Sequence, residues 1–309
     1  MDSSFCSFLI VLSILIGLTL PLLVPMHSQQ VFDDYKPSEA SVMPVRKVSA
    51  VSYQLPAQLI CQQQIFPRSQ LLQGRMLLMD ETHPLPPDLL PPNTASIAQY
   101  GAGMVPVHSL QLRSGRETID ALKALFAQLK AEEVEGLYVD QGTVSIAQQK
   151  HRLVQHTRQL MQHHSPDEAV FLALEEREWP GTGSLLREYT VEIRTADGAL
   201  LEQSIQGQRF LQLCWRYGFV RESAEKPFRF RYVGKAHATA MTYLALDLRS
   251  YLEQLHTKEC LVIAAGGQPQ YLILCQPVQN GYAAFDLPYC TALEVSMDNT
   301  GYALTACTL

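Results

Sequence analysis

The sequence predicts an α+β chain that begins with an apolar helix and ends in a small all-β module. Three observations carry this. Apolar residues recur at helical spacing from Ile119 to Leu129 and again from Met241 to Leu255, while short runs at Leu137 to Val139 and Phe228 to Tyr232 have strand character. From residue 261 to 309 apolar and polar residues alternate, with turns at GGQP and DNTG and no helical period. Residues 5–24 are almost wholly apolar.

With 309 residues, 47% of them hydrophobic, the chain can bury one good-sized core plus a small extra module. A formal net charge of -6 and a pI near 5.8 leave no clustered Lys and Arg to meet phosphates, which excludes a nucleic-acid surface.

Within residues 1–26, the run 5–24 is long enough to cross a bilayer and reads as an uncleaved, single-pass transmembrane helix. The other reading is a secretory signal, but MDSS supplies no positive n-region and no A-x-A site precedes Met26. Lys36, Arg46 and Lys47 follow the span and only Asp2 precedes it, a bias that by itself favours a cytoplasmic body. Residues 27–73 mix Ser, Gln, Pro and Asp with short apolar pieces such as 48–55, and read as a stalk with at most one strand.

Residues 77–92, LLMDETHPLPPDLLPP, are proline-rich and read as a turn. His83 is a turn residue there, because no second ligand type stands at helical or hairpin spacing from it. Ser114 and Glu117 form a capping box for a helix that turns Ile119, Leu122, Leu125, Phe126 and Leu129 to the core. After the strand at Leu137, residues 145–164 form a long amphipathic helix, and Ser165 with Glu168 caps another to about Glu178. His151, His156, His163 and His164 sit among Gln, Arg and Lys on that solvated surface, so they are surface residues and not metal ligands.

Ala196, Asp197 and Gly198 make a turn before a helix over 208–217, which Gly218 ends in the left-handed position. Pro227 opens a strand with Phe228, Phe230 and Tyr232 on one face. Residues 236–256 read as one helix with Met241, Leu244, Leu248, Tyr251 and Leu255 inward and His237 on the surface of its first turn. Of seven cysteines, Cys260 and Cys275 lie symmetrically about GGQP, and Cys290 and Cys307 nearly so about Asp298 and Asn299; both pairs are candidate cross-strand disulfides. Cys6 and Cys214 read as small apolar residues.

Residues 215–234, WRYGFVRESAEKPFRFRYVG, resemble the end of the zinc D-Ala-D-Ala carboxypeptidases of the VanY type, W-x-Y-G-F, a loop, then E-P-W-H-[FY]-R-Y-V-G. The resemblance spans a domain over 74–257, and 258–309 is more weakly similar to a β-rich tail found on some such proteins. It implies a DD-peptidase-like α+β fold, with a central antiparallel sheet flanked by helices and a body outside the membrane.

In that family the motif's Glu is the general base and its His a zinc ligand; here they are Lys226 and Arg229. An ammonium cannot accept a proton from water, and a guanidinium has no lone pair for a metal. DQGTVSIAQQ resembles S-G-Y-R-S-x-x-x-Q, placing Thr143 where the family's substrate-holding Arg stands and keeping Gln148. WPGTGSLLREYTVEIRT resembles P-G-x-S-E-H-Q-x-G-x-A-x-D, placing Leu185 and Glu192 where zinc-binding His and Asp stand. Glu192 is expected on an edge strand, facing solvent or pairing with Arg187 or Arg194.

The resemblance therefore implies a membrane-tethered pseudoenzyme with no zinc and no other cofactor. Its cleft would comprise Thr143, Gln148, Glu192, Lys226, Arg229 and Tyr232 and hold an anionic peptidoglycan stem peptide without cutting it. Two alternatives stand beside this: docking of another envelope protein, and an active carboxypeptidase with rearranged ligands.

Overall fold

The computed structural model describes residues 48–57, 59–176 and 179–309, so the apolar run 5–24 lies outside the described residues. In chain order the elements begin with β1 (Val48–Ser52), β2 (Gln62–Pro67), α1 (Arg68–Leu71), β3 (Ala95–Ser96), α2 (Ile97–Tyr100), β4 (Arg113–Ser114) and α3 (Arg116–Ala131). They continue with β5 (Leu137–Gln141), α4 (Ile146–Leu160), α5 (Pro166–Glu176), β6 (Thr190–Thr195), α6 (Ile205–Leu213), β7 (Phe219–Arg221) and β8 (Arg229–Tyr232). Last come α7 (Lys235–Leu244), α8 (Leu248–Lys258), β9 (Cys260–Ala265), β10 (Gln268–Pro277), β11 (Tyr282–Leu287), β12 (Ala292–Met297) and β13 (Tyr302–Thr308).

A four-stranded antiparallel sheet, ordered β5-β6-β8-β7, sits at the centre. Because side chains alternate along a strand, Leu137, Val139, Val191, Ile193 and Phe230 share one face. That face packs on Ile119, Leu122, Leu125, Phe126 and Leu129 of α3 and on Phe210 of α6, whose ring meets Phe230 edge-on at 4.9 Å. Each such ring or aliphatic side chain contributes about 2 kcal/mol by leaving water. Thr190, Glu192, Arg229 and Arg231 are left on the opposite face, and they define the site.

Gly218 ends the turn Cys214–Tyr217 with φ 88°, as the sequence predicts, and a Cβ there would lie 2.7 Å from the Tyr232 ring. The capping box expected at Ser114 is not formed. Gly115 is the N-cap of α3, and Ser114 Oγ, Thr118 Oγ1 and the Gly115 amide all donate to the buried carbonyl of Glu188. Tertiary demand on the loop before β6 thus outweighs the local cap. The helix expected over 236–256 is two: Ala245 adopts φ 54°, and Asp247 caps α8 by accepting from the Ser250 amide at 2.8 Å. His237 is buried at 2% exposure, not on the surface, with Nδ1 3.0 Å from the Tyr251 hydroxyl. Helix α7 is covered on this side by α8, which single-helix periodicity does not reveal.

The C-terminal strands are as predicted, but they recruit upstream chain. A five-stranded sheet runs β1-β9-β10-β13-β12, and β2 pairs with β11, so from Val48 onward the expected stalk is woven into two sheets. Leu261, Ile263, Ile273 and Leu304 of the larger sheet share one core with Met241, Leu248, Tyr251 and Leu255 of α7 and α8 and with Met76 and Val233. Among the described residues no helix is long and apolar enough to cross a membrane.

Cys290 and Cys307 form a disulfide with their Cα atoms 5.4 Å apart, whereas Cys260 and Cys275 do not. Register explains this. Cys260 stands opposite Leu274, so Cys275, one residue further along β10, points to the other face and packs in the α7–α8 core. Peptide mapping of unreduced protein is expected to yield one cross-linked pair, Cys290 with Cys307; a Cys260–Cys275 linkage would contradict this register.

Candidate functional site

The site is built on register. On β8 and β6, Arg229 stands directly opposite Glu192 and Arg231 opposite Thr190, while the Glu222 amide just past β7 donates to the Arg229 carbonyl at 3.1 Å. Arg229 therefore lies between two acids. Its Nε and Nη2 donate to Glu192 Oε1 at 3.1 and 2.9 Å, and its Nη1 is 3.8 Å from Glu222 Oε2. Glu222 Oε2 also accepts from Ser184 Oγ at 2.7 Å. All these side chains are largely buried, in the environment where guanidinium–carboxylate pairs are strongest.

Neither form of the Glu192 expectation holds. Strand β6 is flanked on both sides, by β5 and β8, and the carboxylate is taken by Arg229. Arg187 instead pairs with Glu188 at 3.2 Å and donates to the Leu90 carbonyl, and Arg194 pairs with Asp140 at 2.9 Å.

The loops that carry Thr143 and Leu185 meet. The Val144 amide donates to the Leu185 carbonyl at 2.8 Å, and Thr143 Oγ1 is 3.3 Å from the Arg187 carbonyl it donates to. Leu185 is a buried hydrocarbon, 4% exposed. Lys226 sits half-buried in the turn before β8, where its carbonyl accepts from the Arg229 amide at 3.0 Å.

Two predicted cleft residues are elsewhere. Gln148 completes the capping box of α4, its Oε1 accepting from the Ser145 amide at 2.7 Å. Tyr232 has the opposite parity to Arg229 and Arg231; its ring meets Phe219 at 5.4 Å and lies under the Arg75 guanidinium at 4.7 Å. The residues that sequence reasoning missed are Glu222 and Ser184. Glu222 continues the alternation of β7 in phase with Val220, a signal hidden because RESAEK reads as a polar loop.

Arg231 is fully buried, and its Nε donates to the Arg75 carbonyl at 2.8 Å. Burial pulls its pKa down to about 10, with Glu222 opposing, so it stays a cation at neutral pH.

The donor set does not fit zinc. Of the three positions aligned with family ligands, Leu185 offers carbon and Arg229 a permanent cation, and the Glu192 carboxylate is held by that cation. Among the described residues no three His, Cys, Asp or Glu side chains come together as a metal group would require. What the arrangement can do is clamp three strands of one sheet face.

No family model matches the chain, and neither does any curated protein. Among solved structures, the vancomycin-resistance D,D-dipeptidase VanXYg in complex with a D-Ala-D-Ala phosphinate analogue superposes with a TM-score of 0.66 at 13% identity, covering 81% of this chain and 99% of that one. The LdcB LD-carboxypeptidase gives 0.49 at 21% identity over 59% of this chain and 87% of its own. VanYB in complex with D-alanine-D-alanine gives 0.46 at 19% over 58% and 97%. The first of these establishes that the chain has the fold of the D,D-peptidases.

Proposed function

We propose that this chain is a catalytically silent relative of the zinc D,D-peptidases that holds peptidoglycan stem peptides without cutting them. One observation carries the reading: at the positions where the family has a zinc-binding Asp and His, Glu192 and Arg229 bind each other. A metal would have to displace a buried ion pair and would then find no lone pair on the guanidinium. Lys226 stands where the family keeps its general base, and an ammonium has no lone pair with which to accept a proton.

Support for a stem-peptide ligand is the fold shared with VanXYg, whose structure contains a D-Ala-D-Ala analogue. Lys226, in the turn that enters β8, is of the charge that suits the terminal carboxylate of such a peptide. We further propose that residues 5–24 anchor the chain in the membrane with its body outside the cytoplasm. The Cys290–Cys307 disulfide supports an oxidising compartment.

The full chain, purified in detergent, is expected to release no D-alanine from a stem pentapeptide and to bind muropeptides, with affinity falling in Lys226→Ala. Release of D-alanine that a chelator abolishes would overturn the reading; so would muropeptide affinity unchanged in that variant.

A further inference from the structure

A second candidate site lies away from the ion pairs of β6 and β8. A cavity of about 270 Å³ is walled by Arg75, Glu117, Tyr189, His237, Leu293 and Glu294, with Val233 at its edge. Glu192, Glu222, Lys226 and Arg229 do not line it, so it is a different cavity from the ion-pair site.

The charge balance of this cavity is unequal. Arg75 Nη2 is 2.5 Å from Glu117 Oε2 and Arg75 Nη1 is 2.7 Å from Glu294 Oε2, while the guanidinium covers the Tyr232 ring. Two carboxylates thus share one cation, and among the described residues no other Lys or Arg lines the cavity. Burial, with Glu117 nearby, raises the Glu294 carboxyl above the ordinary carboxylate range despite Arg75. Glu294 reaches this position because residue 234 has no side chain; a Cβ on Gly234, at φ 84°, would overlap the carboxylate.

A second feature points to a ligand. His237 is 2% exposed and lines the cavity, yet its hydrogen bond to Tyr251 uses only Nδ1. Nε2, on the other edge of the ring, has no protein partner among the described residues. Left without a protein partner on a buried ring that lines the cavity, this nitrogen is available to a partner from it.

We propose that this cavity binds the ammonium group of a small amino compound between Glu117 and Glu294, with His237 Nε2 meeting a second polar group of the same molecule. Ligand pockets run from about 300 to 1,000 Å³, so this one, just below that range, takes a compound of amino-acid size. Leu293 and Met76 supply its apolar wall. The inference is independent of the stem-peptide reading.

The test is calorimetric titration of the full chain with D-alanine, L-alanine and L-lysine, and with N-acetyl-D-alanine as the uncharged control. At least one free amine is expected to bind, and losing the charge-assisted contact, by acetylation or by Glu294→Gln, is expected to weaken binding about tenfold or more. Glu117→Gln is a second variant should Glu294→Gln fold poorly. Three results would each overturn the proposal: no binding of any amine by folded protein, equal binding of the acetylated control, or affinity unchanged in a folded Gln variant. Lys226→Ala is expected to leave amine binding intact, so failure here and failure of the stem-peptide reading are read separately.

Discussion

Arg229→Met is expected to destabilise the protein by about 3–5 kcal/mol, the cost of leaving buried charge without its partner. The variant strands Glu192, held at 2.9 Å, and weakens the compensation of Glu222, at 3.8 Å. A second variant makes the interpretation sharp. Replacing both members of a buried pair with apolar residues of similar size is often nearly neutral, so Glu192→Leu with Arg229→Met is expected to recover most of the loss. Glu222 then keeps Ser184 Oγ at 2.7 Å and the field of Arg231. Urea unfolding of the two single variants and the double closes a thermodynamic cycle. A single-variant cost below about 1 kcal/mol, the range of exposed ion pairs, would show that the Arg–Glu pair does not hold the three strands together.

The elements that position this site were legible wherever periodicity is strong. Leu122 and Leu125 of α3, the phase of Phe228, Phe230 and Tyr232, and the left-handed Gly218 all stand as the sequence predicts. What sequence could not supply was pairing. That Glu192 faces Arg229 follows from the β6–β8 register, and neither residue type announces it; from spacing alone, Arg187 and Arg194 are nearer candidates. The same holds for Cys260 and Cys275, symmetric about their turn yet on opposite faces because the register is offset by one residue. Strand β1 falls in the apolar piece 48–55, where the sequence allows one strand, but β2 and the pairing of both were unreadable for a related reason. Their partners, β9 and β11, lie some 200 residues away, and a short polar-rich strand such as β2 has little local signal.

His237 shows how such a long-range contact governs behaviour in solution. Its place in the first turn of α7 reads as surface, but α8 folds back over it and Tyr251 takes its Nδ1, so burial drives its pKa down to about 3, with Arg75 adding repulsion. In the unfolded chain the imidazole titrates near 6.5. Below that pH the unfolded state binds a proton that the folded state refuses. Stability is therefore full above about pH 7 and falls as pH drops through the window from 6.5 to 3, by about 1.4 kcal/mol per unit from this group alone. Other groups titrate in part of the same range. Glu294, its carboxyl raised by burial, pushes stability the other way just above pH 4.5, and Asp80, lowered to about 2 with Thr82 and His83 as hydrogen-bond partners, adds to the loss below pH 4. The difference between wild type and His237→Gln removes these common contributions. Chemical unfolding of both proteins at pH 7, 6 and 5 is expected to reveal a gap that shifts in favour of the variant by about 2 kcal/mol as the pH falls. Parallel profiles would mean that the ring is open to water in solution, and with it the wall of the cavity that Arg75 and Glu294 share.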